Sequence, residues 1–218
     1  MNSIDLSALW LSLQVALLAT VFAFAMGTIL AWWFATSNSR LARLLSILVT
    51  VPLILPPTVL GYYILVILSH QSWLTTLIGG QILFTWKAAV IVATIAALPL
   101  VIRPIQVAFE SIDSELLRAS ELDGASKWQQ LLWVIIPLSY RGIIAGVTLG
   151  FARAMGEFGA TLMVAGNIPG ETQTLSIAIY DAVQANRMTE ANIMVVLLTV
   201  TTLLLLWFAQ TKSRSKPY

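Results

Sequence analysis

The 218-residue chain is 58% hydrophobic and only 10% charged, with a formal net charge of +2. Soluble domains carry about 25% charged residues, so this chain cannot wet a globular surface and its expected solvent is lipid. Its basic residues are scattered, which excludes a nucleic-acid footprint; the lack of cysteine and the lone His70 exclude disulfides, thiolate metal sites and a His-rich metal centre.

A spanning helix needs about 20 mostly apolar residues. The first candidate is 9–35, within a charge-free run from Leu6 to Ser39. Asp5 is the only charge before Arg40. The positive region that opens a cleavable signal is therefore missing, and the run reads as a retained membrane helix. The second candidate, 44–69, follows the turn SNSRLAR and contains VPLILPPTVLG. Of Pro52, Pro56 and Pro57 there, the adjacent pair Pro56–Pro57 removes backbone donors, which predicts a kink or break. Freed carbonyls are tolerated in a membrane only where protein or a watery cavity receives them. The bend is thus either a packing kink or part of a gated path.

The third candidate, 84–109, carries Lys87 near one end and Arg103 near the other. The fourth, 142–165, repeats Gly142, Gly146, Gly150 and Ala154 every four residues. Small residues at that spacing let helix backbones approach closely, within the chain or at a subunit contact or pore wall. Thr174–Val183 is too short and polar to span, and reads as a short helix or re-entrant piece near one face. The fifth span, 191–210, is followed by the basic tail TKSRSK. Arg40, Arg43, Arg103, Arg118, Lys127, Arg141, Lys212, Arg214 and Lys216 then fall on one side. Positive loops mark the cytoplasmic side, so the N-terminus is expected outside and the C-terminus inside.

The longest polar stretch, about 112–135, lies between spans three and four on that cytoplasmic side. Asp113 or Ser114 can cap a first helix, Gly124 permits the left-handed turn that ends it, and Ser126 can cap a second. Two short helices held at a membrane surface read as a docking element. No phosphate-binding G-x-x-x-x-G-K-[ST], G-x-S-x-G or H-E-x-x-H motif is present. Neither ATP hydrolysis nor another recognisable catalysis is therefore expected of this chain.

The segment Arg118-Ala119-Ser120, three residues, Gly124, nine residues and Val134-Ile135-Ile136-Pro137 resembles the EAA loop of ATP-binding cassette (ABC) importer permeases. The glycine and proline are in register. The family's Glu is Arg118 here, and its second Ala is Ser120. ARAMGEFGAT and AGNIPGETQTL are similar to the molybdate permease subunits of that family; sulfate permeases share the EFGAT core.

The resemblance implies an all-α membrane protein of the type I ABC importer permease fold, one domain over 1–218, in a bacterial cytoplasmic (inner) membrane. It implies that Ala119, Ser120, Glu121, Leu122, Asp123, Gly124 and Ala125 dock on an ATPase subunit dimer. ATP and Mg²⁺ would sit on that ATPase and no cofactor on this chain. An external molybdate-binding protein would deliver the anion, molybdate or tungstate. Sulfate or another oxyanion remains the alternative substrate, and a self-sufficient secondary transporter the alternative class. One chain encloses little volume, so a second copy with the path on a twofold axis is the economical arrangement.

Pro56, Pro57, Thr148, Arg153, Gly156, Glu157, Phe158, Gly159 and Thr161 are the candidates for the path or gate. Among these, Glu157 is the only acid in its apolar segment, and Arg153 lies four residues before it, one helical turn away. Three roles stay open for the carboxylate: a structural pair, a gate element, or a proton or cation site.

Overall fold

The computed structural model describes residues 6–69 and 81–214; His70 and most of the loop expected at 70–83 lie outside them. Every regular element among the described residues is helical. They are α1 (Ser7–Thr36), α2 (Arg40–Ile54), α3 (Pro57–Ser69), α4 (Trp86–Glu110), α5 (Ser114–Leu122), α6 (Lys127–Leu138), α7 (Tyr140–Met155), α8 (Gly159–Ala165), α9 (Leu175–Gln184) and α10 (Met188–Arg214). α1, α4 and the Met188–Trp207 part of α10 are each long and apolar enough to cross a bilayer, and two bent pairs bring the number to as many as five.

The bundle is organised around α4, which packs on α1, α2, α7 and α8. Small residues make this crowding possible. Ala16, Ala19 and Ala23 of α1 and Ala89, Ala93 and Ala97 of α4 are all fully buried. Lipid supplies no hydrophobic drive between helices, so close van der Waals contact between such surfaces must hold them. Val92, Val101, Ile102 and Ile105 fill the remaining core space around α4.

The glycine repeat of α7 meets this same helix. A Cβ added at Gly146 would stand 2.7 Å from the carbonyl oxygen of Val101, and one at Gly142 would stand 2.8 Å from that of Pro104. The repeat therefore serves packing within the chain. Gly146→Ala should destabilise the protein by about 1–3 kcal/mol, because backbone cannot yield to an added methyl as a flexible side chain can. Gly156→Ala, where the nearest atom is 3.6 Å away, should be close to neutral. Thermal unfolding of the two detergent-solubilised variants checks the contrast.

Two expected spans are interrupted. Residues 44–69 form not one helix but α2 and α3, bent by 116°. Pro56 and Pro57 break the ladder: α2 closes with the Leu55 N–H donating to Val51 O (3.0 Å), and Pro57 opens α3 at the position where its missing donor is harmless. The continuous helix expected over 142–165 ends at Met155 and restarts at Gly159. The Gly156 N–H closes α7 on Ala152 O, and Phe158 leaves helical geometry at φ −134°, ψ −65°. Its ring packs on Tyr180 of α9 at 5.0 Å.

α9 is held between α1 and α10. The Leu175 N–H at its start donates to the buried Ser12 hydroxyl of α1 at 2.7 Å. α6 and α7 meet at 80°. A π-helical turn, Leu131–Ile135, precedes that bend. The Ile136 N–H closes it on Leu131 O, just before Pro137, which has no N–H to donate.

Candidate functional site

The two interruptions lie side by side. Gly159 opens α8 with Pro57 Cβ only 3.1 Å from where its own Cβ would stand. One α3 turn on, a Cβ at Gly61 would meet Ala160 Cα at 2.8 Å and Met163 Cβ at 2.9 Å. α3 and α8 thus cross almost backbone to backbone. Pro56, Pro57 and Thr58 are exposed on one side of this junction, together with Gly156.

Glu157 occupies the gap between α7 and α8 and is 3% exposed. Its Oε2 lies 2.6 Å from Arg153 Nη1, an approach that is electrostatic and not a directed hydrogen bond. Its Oε1 accepts the Ala160 N–H at 3.1 Å. The carboxylate therefore does two things. It neutralises the guanidinium at the end of α7, and it satisfies one of the free donors that begin α8. The spacing reveals the pair; the second contact is invisible in sequence because it requires the helix to stop.

The other candidates separate. Thr148 points away from Glu157, into a groove between α7, α1 and α10, and its hydroxyl donates to Ile144 O at 2.6 Å. Thr161 is 1% exposed, within the core. Neither hydroxyl stands open at the junction in this chain. Pro56, Pro57, Arg153, Gly156, Glu157, Phe158 and Gly159 do gather around the two breaks.

Arg103, read from sequence only as a topological charge, is a structural centre of its own. Its guanidinium donates to the Ser46 hydroxyl (3.0 Å), Ser46 O (2.9 Å), the Thr50 hydroxyl (2.6 Å) and Gln106 Oε1 (3.1 Å). Gln106 in turn donates to Glu110 at 2.8 Å. The half-buried Arg103 thereby clamps α2 to α4. The hydroxyl pair Ser46 and Thr50, one turn apart, was the available signal. In Arg103→Met, amide hydrogen exchange across residues 44–54 should rise by about tenfold or more, since hydrogen bonds to a charged group contribute about 1.5–3 kcal/mol. An unchanged exchange rate there would remove the clamp from the account.

The polar segment folds as a rigid hairpin of helices. Asp113 caps α5 by accepting the Glu115 N–H at 2.9 Å. Gly124 takes φ +85°, and the Ala125 N–H returns to Ser120 O at 3.0 Å, the geometry that glycine alone adopts without strain. Ser126 and Gln129 form a reciprocal capping box at the start of α6. Buried Gln130 ties the arms together by donating to Leu117 O (3.1 Å) and the Ser120 hydroxyl (3.0 Å). Ser120, where the loop pattern has alanine, is thus half of a side-chain latch.

Trp128 packs on Trp32 at the end of α1 at 5.1 Å. Leu122 (89% exposed) and Trp133 (78% exposed) project from the hairpin.

A helix hairpin between spans thus leads into an interrupted helix that abuts a second interruption. The chain belongs to the family of binding-protein-dependent transport system inner membrane components, whose sequence model matches residues 10–211. It is therefore a multi-pass inner-membrane protein. It is 40% identical to the molybdenum transport system permease protein of Azotobacter vinelandii over 86% of this chain and 85% of that protein. It is 39% identical to a putative molybdenum transport system permease protein of Bacillus subtilis over 93% of this chain and 91% of that one. A sulfate transport system permease protein of Escherichia coli is more distant, at 29% over 92% of this chain and 73% of that protein. The fold is that of type I ABC importer permeases. It superposes on a chain of an inward-facing MetNI methionine ABC transporter with a TM-score of 0.79 at 20% identity, covering 97% of this chain and 95% of that one.

Proposed function

We propose that this chain is the membrane-spanning subunit of an ATP-driven importer of molybdate, with tungstate as a companion substrate. The observation that carries the coupling is the α5–α6 hairpin, which exposes Leu122, Trp128 and Trp133 and leads directly into α7, the helix that stops just before Glu157. The hairpin docks on a separate ATPase, which binds ATP and Mg²⁺; this chain binds no cofactor. Closure of two ATPases drives α6 and α7, and the bundle moves as rigid bodies between inward- and outward-open states. The hairpin faces the cytoplasm, the N-terminus lies outside, and an external binding protein delivers the anion to a path between two copies of the chain.

The choice of molybdate over sulfate rests on the higher identity to the molybdenum permeases, since no side chain at the junction distinguishes the two tetrahedral dianions. The junction presents backbone and proline surface with its one carboxylate already engaged. An anion can pass such a surface without being trapped.

The test is uptake of labelled molybdate by proteoliposomes holding the permease, its ATPase and its binding protein. Uptake should require ATP hydrolysis and should be competed by tungstate more strongly than by sulfate. Equal competition by sulfate would reassign the substrate. Uptake by the permease alone would overturn the importer reading.

A further inference from the structure

We infer that the lipid-facing side of α1 holds a phospholipid with a zwitterionic head group, its acyl chain lying in a groove between α1, α7 and α10. Two cavities on the molecule share one residue, Leu17. The lower, of about 370 Å³, is walled by apolar side chains including Val21, Phe24, Phe151 and Leu205. Its hydroxyls offer nothing to a polar ligand: Thr20 donates to Ala16 O (2.6 Å), Thr148 to Ile144 O (2.6 Å) and Thr202 to Leu198 O (2.8 Å). At 1.5 Å per residue, Thr20 lies roughly 20 Å along α1 from its start, deep in a hydrocarbon layer about 30 Å thick. An occupant at that depth is a hydrocarbon chain.

The upper cavity, of about 770 Å³, lies nearer the start of α1 and is different in kind. Gln14, Gln81, Trp86, Lys87 and Glu171 line it. Gln14, Leu17, Val21 and Phe24 recur at three- and four-residue spacing, so one face of α1 runs from the polar cavity into the apolar groove. Trp86, partly exposed beside Lys87, suits the head-group level, where tryptophan is enriched.

The ion pairs among the described residues are Arg153–Glu157, Arg187–Asp181 and Arg187–Glu190. Lys87 and Glu171 therefore share a cavity without pairing. A purely anionic head group would be repelled by Glu171, and a cationic one by Lys87. A head group carrying both a phosphate and an ammonium matches the two together: the phosphate accepts from Lys87, and the ammonium donates to Glu171. Phosphatidylethanolamine has that chemistry.

The experiment is native mass spectrometry of the permease–ATPase complex exchanged into equal amounts of dioleoyl phosphatidylethanolamine and dioleoyl phosphatidylglycerol. Wild type should retain the first about tenfold better, the scale of one charge-assisted hydrogen bond. Glu171→Gln should erase the preference, and Lys87→Gln should weaken retention of both lipids. Leu17→Trp, at the junction of the cavities, should lower retention without changing the preference. A diazirine on the acyl chain should label α1, α7 or α10 near Leu17, Phe151 or Leu205. Equal retention of both lipids by wild type, a preference for phosphatidylglycerol, or labelling confined to other helices would each overturn the site. The wild-type comparison decides the matter even if a variant fails to assemble.

Discussion

Glu157→Gln should lower the unfolding temperature of the purified transporter by about 4–12 °C and slow uptake, while leaving the order of preference among oxyanions unchanged. The substitution keeps the shape and the acceptor for the Ala160 N–H, and removes only the charge facing Arg153. Breaking one side of a fully buried pair costs about 3–5 kcal/mol. Arg153 retains 24% of its side-chain exposure, so about 2–3 kcal/mol is the expected scale, and roughly 2–4 °C accompanies each kcal/mol in a chain of this size. Glu157→Ala should do worse by about 1 kcal/mol, because the first turn of α8 then loses its acceptor as well. The double variant Arg153→Met with Glu157→Gln should regain much of the loss, since an ion pair replaced on both sides leaves no orphan charge. Melting curves of wild type, Glu157→Gln, Arg153→Met and the double variant form the cycle. A double variant as unstable as the sum of the singles would dismiss the pair, and a changed anion preference in Glu157→Gln would place the carboxylate on the path.

Gly124→Pro should abolish co-purification of the ATPase while the chain still inserts in the membrane. Proline fixes φ near −65°, whereas this turn runs at +85°; no small adjustment reconciles them. The Gly124 N–H bond to Glu121 O is lost in the same step. The damage is to the aim of the two arms: Leu122 and Trp133 no longer point in their native relative directions. The built Cβ at Gly124 meets nothing within 4 Å, so strain and not collision is the cause. Gly124→Asn, which tolerates positive φ better than other side chains, should therefore retain most of the ATPase. Pull-down from solubilised membranes separates the outcomes; normal capture by the proline variant would exclude the hairpin as the docking element.

Much of this architecture is legible from residue types alone. Charge scarcity, the run from Leu6 to Ser39 and the Gly142–Gly150 repeat announce spanning helices and a close helix pair, and α1, α4 and α7 match those features. The hairpin is also legible, because Asp113, Gly124 and Ser126 each have one strong local preference. The interruption after Met155 was not. GEFGA contains no proline, and glycine is common enough in membrane helices to hide a stop. What ends α7 is tertiary: the Phe158 ring on Tyr180 and the Glu157 carboxylate on the next amide. The clamp made by Arg103 is hidden in the sequence for a related reason. Its partners Ser46 and Thr50 lie on another helix, and their hydroxyls look unremarkable until α2 is laid against α4. Thr148 and Thr161 were grouped by chemistry, and helix geometry sends them in different directions.

The approach of Gly61 to Ala160 has a mechanical meaning. With no side chain between the two backbones, the contact has nothing soft in it. It is a stiff joint flanked by two helix breaks, one at Pro56 and one at Gly156. A displacement of α8 would therefore press directly on α3, whose first residue, Pro57, borders the 116° bend from α2. Bulk added at Gly61 would act as a shim, forcing the two backbones apart.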